Sequence, residues 1–196
     1  MKRTLLTFLL ILNISFCISQ TTTNHYTIEA LNENVGTLTA TKTVQGDKTT
    51  YVTNSSSTVH IFGTTTVTTS LTVIFRNGVM ESSTYTSEKN GNSYDSCIIT
   101  EINGVYTVNR KGKKSTFTTP VKHVTIQLYF EEPGANDSYF DPLGAAFYPV
   151  ELSSPDTYTY DDPASKVNTT YVYKNGQLQQ GTTDYTLYKY SFTRKE

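Results

Sequence analysis

TTTVTTSLTVIFRNGVMESSTYTSEKNGNSYDSCIITEING, residues 64–104, contains three Asn-Gly pairs at equal intervals. Asn77 precedes Asn90 by thirteen residues, and Asn90 precedes Asn103 by the same distance. Asn-Gly favours the tight type I′ turn of a β-hairpin, because both central residues of that turn need a positive φ. Each interval holds one strand of about ten residues and one turn, which is too short for a parallel crossover. The stretch predicts an antiparallel up-and-down meander.

Hydrophobic alternation predicts which face of this sheet is buried. Between Gly63 and Asn77 every second position is predominantly apolar, and the intervening positions are mainly threonine and serine, as in a strand with one wet face. The predicted inner-face residues of this strand are Val67, Leu71, Val73 and Phe75. Those of the first two strands are Tyr26, Ile28, Ala30, Leu38, Ala40 and Val44.

The composition extends this interpretation to the rest of the chain. Threonine is abundant and there are 15 tyrosines, and both residue types fit a pleated sheet better than a helix. Further turn pairs occur at Gly46-Asp47, Lys111-Gly112 and Asn175-Gly176. We therefore predict an all-β fold, an antiparallel up-and-down meander of about ten strands curled into an open barrel.

A proline-rich stretch interrupts the strand pattern at about residues 131–163. Proline ends or distorts strands, so the stretch predicts an irregular cap. Its aromatic residues, among them Phe140 and Phe147, are too many for a flexible linker, so we expect the cap to pack on the sheet. Residues 20–196 are predicted to form a single β domain that includes this cap.

The first 19 residues predict export. Lys2 and Arg3 precede a mostly apolar run, and Cys17-Ile18-Ser19 fits a small-x-small cleavage site, so a signal peptide 1–19 and a mature chain from Gln20 are expected. A permanent anchor needs roughly 20 apolar residues, more than this run has. Lipidation of Cys17 is an alternative that the large Phe16 disfavours. The predicted location is the periplasm or the extracellular space, without a transmembrane helix in the mature chain.

Charge and reactive residues limit the possible chemistry. The formal net charge of −1 gives no basic field for nucleic acid. After cleavage Cys97 is the remaining cysteine, so no internal disulfide is possible, and we interpret it as a small buried residue. His25, His60 and His123 are scattered, and no known motif for a nucleophile or a metal surrounds them. We expect no enzyme activity, no cofactor and no metal site.

Four segments carry a resemblance to a known family: Gly36–Thr39, Phe75–Val79, Leu128–Pro133 and Tyr171–Leu178. Together with the signal peptide, they make the chain similar to an uncharacterised family of exported β-rich proteins of unknown function from Gram-negative bacteria. The resemblance covers nearly the whole mature chain and implies a topology, with no catalytic residues to transfer. By shape the meander also resembles the open half-barrels of lipoprotein carriers, an analogy of fold.

A curled meander has a concave apolar face that side chains, a cap or a ligand must fill. The leading hypothesis is a non-enzymatic envelope protein that holds a lipid or other apolar or amphipathic ligand on this face. The candidate site combines a floor on the fourth strand with two contacts from the cap, namely Val67, Leu71, Val73, Phe75, Phe140 and Phe147.

Three alternatives to this hypothesis remain. In the first, side chains fill the interior and leave a solid structural or interaction domain. An outer-membrane barrel is disfavoured because many strands carry threonine and serine on both faces. An enzyme would require a histidine or carboxylate group that converges in a cleft.

Overall fold

A computed structural model describes residues 19–60, 63–134, 137–162, 167–184 and 189–195. The predicted signal peptide lies almost entirely outside the described residues, and β1 begins at Gln20. The strands are β1 Gln20–Ala30, β2 Glu33–Gln45, β3 Lys48–His60, β4 Thr64–Arg76, β5 Val79–Lys89, β6 Asn92–Ile102, β7 Val105–Arg110, β8 Lys113–Phe117, β9 Asp137–Asp141, β10 Ala146–Ser154, β11 Thr157–Asp162, β12 Val167–Lys174, β13 Gln177–Asp184 and β14 Lys189–Arg194.

All of these strands belong to one antiparallel sheet, which confirms the predicted all-β meander. Strands β1 to β8 form one consecutive run and β9 to β14 another, and the two runs join where β1 pairs with β14. Strands β8 and β9 lie at opposite ends of the strand order, so backbone pairing leaves the barrel open. Aromatic rings bridge this opening. The ring of Phe117 stacks on that of Tyr106 and lies 5.2 Å from the ring of Phe140.

The predicted turns are confirmed. Each Asn-Gly pair has positive φ at both residues, for example 51° at Asn77 and 76° at Gly78, and Lys111-Gly112 adopts the same conformation. Gly46 has a positive φ and Asp47 does not, as in a type II′ turn. A further turn of the I′ kind joins β1 to β2 at Leu31-Asn32, where the sequence contains no glycine.

Two expectations about the fold need correction. The described residues hold fourteen strands rather than about ten. The stretch 131–163 is also not an irregular cap over most of its length, because β9, β10 and β11 form between residues 137 and 162. Most of its prolines lie outside the strands. Pro142 and Pro155 lie in turns, and Pro149 is the exception within β10.

The irregular chain lies earlier, at residues 118–134, which we call the plug segment. It includes a 3₁₀ helix, Thr125–Tyr129. Four of its aliphatic side chains are at most 1% exposed. Leu128 joins a hydrophobic cluster with residues of β1, β2 and β9 to β14, whereas the other three join a cluster with β3 to β7. These three residues are Val121, Val124 and Ile126.

Because successive strands run in opposite directions, every second turn lies at the same end of the sheet. The plugged end carries the turns at 46–47, 77–78 and 103–104, and the plug segment packs there: Met80, just after the 77–78 turn, donates its N–H to the Val121 carbonyl over 2.9 Å. The open end carries the turns at 31–32, 90–91 and 111–112.

Candidate functional site

Strand β4 carries four of the six predicted site residues and runs from the open end to the plugged end. Leu71, Val73 and Phe75 are 8%, 0% and 4% exposed and belong to one hydrophobic cluster, to which β9 contributes Phe140. Val67 lies on the same face but is only half-buried. The structure thus brings four of the six candidate residues together and leaves Val67 beyond the edge of this cluster.

The sixth candidate, Phe147, lies opposite Phe140 in the β9–β10 pair. Its side chain is 38% exposed, and its ring is 5.1 Å from that of Phe140 and 6.3 Å from that of Phe117. Phe147 therefore supports the bridge between the two edges of the sheet. It does not belong to the cluster that contains Leu71 and Val73.

The plug segment covers most of the predicted floor. Val121, Val124 and Ile126 belong to the same cluster as Val73 and Phe75. Buried aliphatic contact of this kind is the main stabilising term of a folded domain. At this end, the protein's own chain therefore occupies the concave face.

Inward-facing polar side chains hold the plug segment by its backbone. Tyr173 donates its hydroxyl to the Leu128 carbonyl over 2.7 Å. Tyr26 and Asn24 both donate to the Tyr129 carbonyl, over 3.2 and 2.7 Å. Irregular backbone can be buried only when its polar groups find partners. The tyrosines, which the sequence identifies only as strand formers, provide these partners.

Burial keeps these tyrosines neutral. It raises the pKa of Tyr26 to about 12, although nearby Arg194 opposes the shift. Burial also raises the pKa of Tyr173 well above its usual value. Both hydroxyls therefore stay protonated at ordinary pH and remain hydrogen-bond donors.

Toward the open end, the inner face of β3 to β5 changes in character, whereas Ile28 and Ala30 on β1 stay buried. Ser55, Ser57 and Val59 on β3, Val67 on β4 and Tyr85 on β5 are only half-buried. The strand register places them in adjacent rows, with Ser57 opposite Val67 and Tyr85 opposite Leu71. We call this surface the open-end wall. It combines hydroxyl groups with apolar side chains.

A cluster of charged side chains lies on the inner face at β6 and the end of β7. Arg110 donates to Asp95 over 3.1 Å, and Lys111 lies 3.6 Å from the same carboxylate. Burial opposes ionisation of Asp95, but hydrogen bonds from Arg110 and from the Ser96 N–H lower its pKa overall. Burial raises the pKa of Tyr85, and the Asp95 and Asp141 carboxylates add to this effect. Arg110 and two carboxylates therefore act on the Tyr85 hydroxyl, and Lys111 pairs with one of these carboxylates, Asp95.

Two grooves flank the Leu31-Asn32 turn at the open end. One, of about 470 Å³, lies between β1, β13 and β14, and its wall includes Glu29, Thr182 and Ser191. The other, of about 460 Å³, lies between β1, β2 and β3, where Val35 and Val59 contribute apolar surface. The remaining lining includes the polar residues Glu33, Asn34, Thr58 and His60. Leu31 lines both grooves.

Reactive side chains are separated. Cys97 is 1% exposed, and burial raises the pKa of its thiol. His25 and His60 lie within 3.3 and 3.1 Å of threonine hydroxyls, and the ring of His123 is 5.4 Å from that of Tyr139. Within the described ranges, no three His, Cys, Asp or Glu residues group closely enough to bind a metal ion. The same residues include no helix with the length and apolar character to span a membrane.

Comparisons with known proteins agree with this architecture. A family model described as a domain of unknown function, DUF6134, matches residues 26–195. A crystal structure of a β-barrel-like protein of a domain of unknown function, DUF1849, from Brucella abortus aligns with a TM-score of 0.61. The alignment covers 89% of this chain and 95% of that one at 11% identity, so the likeness concerns the fold. Curated proteins gave no significant match.

Proposed function

We propose that this chain, which belongs to the DUF6134 family of unknown function, is an exported, non-enzymatic protein that binds an amphipathic ligand at the open end of its curled sheet. The supporting observation is the exposure gradient along β4. Val67 is half-buried, whereas Leu71, Val73 and Phe75 are nearly or fully buried. Burial of the inner face of β4 therefore decreases from the plugged end toward the open end.

The chemistry of the open-end wall suits a ligand with both apolar and polar parts. Val59 and Val67 offer apolar contact, while Ser55, Ser57 and Tyr85 offer hydroxyl groups. Binding sites of this kind use a mainly apolar surface with a few polar groups that fix orientation.

The charges near Tyr85 favour a particular polar group. Arg110 and Lys111 supply two positive charges, and Asp95 and Asp141 supply two negative charges. A ligand with a net charge would meet one attractive and one repulsive pair. We therefore propose an uncharged or zwitterionic polar group, as in a single-chain zwitterionic lipid.

Two tryptophan variants test the site. Val67→Trp fills the open-end wall, whereas Thr68→Trp places the same ring on the opposite face of β4 at a similarly half-buried position. Native mass spectrometry of protein purified from the cell envelope should detect a co-purifying amphipathic molecule with wild type and Thr68→Trp, and lose it with Val67→Trp. Absence of any adduct from the wild type, or retention by Val67→Trp, would reject the proposal.

A solid, non-binding interaction domain is the second candidate. The plug segment favours it, because Val121, Val124 and Ile126 already pack against most of the predicted floor. The same variants separate the two proposals. In a solid domain the wild type carries no adduct, and Val67→Trp changes stability alone.

Export requires its own test. The supporting observations are the basic and apolar pattern of residues 2–14 and the start of β1 at Gln20, directly after the expected cleavage site. Intact mass of the envelope protein should correspond to a chain that begins at Gln20. A diacylglyceryl group on Cys17 would instead identify a lipoprotein signal, and an uncleaved chain would identify an anchor.

A further inference from the structure

The turn between β1 and β2 uses an unusual residue. Leu31 has a φ of 54° and Asn32 a φ of 63°. At the Asn-Gly and Lys-Gly turns of this sheet, glycine takes the second of the two left-handed positions. A leucine in this conformation is strained, because its Cβ crowds the backbone. Glycine or asparagine at residue 31 would form the same turn with less strain.

Packing inside the protein does not explain the leucine. Its side chain is 50% exposed, so half of the apolar surface that could offset the strain stays in water. Leu31 instead stands where the two open-end grooves meet. A bulky residue kept in a strained conformation points to a function for its side chain.

The groove between β1 and β3 opens onto the inner face. Ala30 lies on the same face as Tyr26 and Ile28, and Val35 packs against the hydrophobic cluster of the second half of the chain. Val59 is on the open-end wall, two residues nearer the open end than Ser57. Val59 therefore belongs both to this groove and to the proposed ligand site.

We infer that Leu31 forms the outer rim of that site and holds the hydrocarbon part of the ligand against Val35 and Val59. This inference rests on the proposed function. Leu31 thereby selects ligands by the length of their apolar chain. Insertion of the same hairpin into a membrane surface is less favourable, because Glu29 and Glu33 flank it and anionic lipid repels carboxylates.

Leu31→Gly and Asn32→Gly form a matched pair of variants. Both place glycine at a left-handed position of the same turn, and only the first removes the leucine side chain. Binding can be measured by titration calorimetry with lysophosphatidylethanolamine that carries a twelve-carbon or a six-carbon chain, each below its critical micelle concentration.

We expect Leu31→Gly to melt a few degrees higher than the wild type, since it relieves backbone strain. It should bind the twelve-carbon lipid roughly tenfold more weakly, because about half a leucine side chain loses its burial. The six-carbon lipid should be affected much less, and Asn32→Gly should bind both as the wild type does.

The outcomes separate this inference from the proposed function. If the wild type binds neither lipid, the proposed function fails for this ligand class and the role of Leu31 fails with it. If the wild type binds but Leu31→Gly binds the twelve-carbon lipid equally well, only the role of Leu31 is overturned. An equal loss with both chain lengths would also overturn it, because Leu31 would then not select for chain length.

Discussion

The plugged end and the open end of the sheet share strands but differ in how their inner face is filled. At the plugged end, Val73 and Phe75 are buried beneath the plug segment. At the open end, Val67 on the same strand stays half-buried. Local turn chemistry forms the strands at both ends, but a distant segment decides which part of them becomes core.

The hydroxyl groups that contact the plug segment bond differently from those on the open-end wall. Tyr26 and Tyr173 donate to carbonyls of the plug segment. On the open-end wall, Ser55 and Thr69 bond to each other across neighbouring strands over 2.7 Å. The tyrosine bonds connect elements that are distant in sequence, whereas the serine and threonine bond reinforces a hairpin that already exists. The plugged end should therefore carry most of the global stability.

The largest difference should come from truncation of the plug segment. Leu128→Ala removes a fully buried side chain and should lower the free energy of unfolding by roughly 2–5 kcal/mol. Val59→Ala removes a half-buried side chain at the open end and should cost about 1 kcal/mol or less. Urea unfolding of both variants measures the two values. Equal losses would remove the distinction between the ends.

Alkaline pH should weaken the attachment of the plug segment through the buried tyrosines that bond to it. The unfolded-state pKa of Tyr26 is 10.0 and its folded-state pKa is about 12, so the neutral form is favoured by the fold. Its contribution, roughly 2–3 kcal/mol, is fully present below pH 10 and is lost as pH rises through about 12. Urea midpoints should hold steady below pH 10 and fall above it. A midpoint that stays constant to pH 12 would contradict this expectation.

Loss of one hydrogen bond to the plug segment should have a smaller effect. Tyr173→Phe leaves the Leu128 carbonyl without this donor and should cost roughly 1–3 kcal/mol. Tyr94→Phe is the matched control, because the Tyr94 side chain is 61% exposed and its loss should stay within about 0.5 kcal/mol. If thermal melting finds the two variants alike, the tyrosine bonds do not anchor the plug segment.

The smallest difference between the ends is expected at the turns. Gly78 at the plugged end and Gly91 at the open end both have a φ of 76°, with open space around the position of a Cβ. Gly78→Ala and Gly91→Ala should each cost about 1 kcal/mol, since the strain is local. Chemical denaturation that gives clearly unequal costs would show that the turns depend on their end of the sheet.

The sequence predicts features that depend on residues close together in the chain, and it misses features that depend on distant residues. Asn77-Gly78 and the alternation of Leu71 and Val73 are local signals, and they give the hairpins and the inner face correctly. The plug segment has no local signal, because Val121 and Ile126 become buried only when the distant strands curl around them. Proline statistics place the irregular chain too late, since β9 and β10 form near the edge of the sheet with prolines mostly in the turns that flank them.

The candidate site was predictable to a similar degree. The alternation of apolar and polar residues assigns Val67 and Leu71 to the concave face, and the strand register agrees with this assignment. Which of them remains accessible depends on how far the plug segment reaches along β4, a tertiary property. The strained Leu31-Asn32 turn was not predicted, because turn rules rely on glycine and this turn has none.

Hydrogen exchange with and without twelve-carbon lysophosphatidylethanolamine tests most directly whether the open end binds and the plugged end is solid. Ligand binding slows exchange where it stabilises local structure. We predict slower exchange of backbone amides at residues 55–59, 65–71 and 83–87, with residues 121–130 unchanged. Slower exchange confined to 121–130 would place the ligand under the plug segment, and no change in any of these ranges at saturating lipid would contradict binding at the open end.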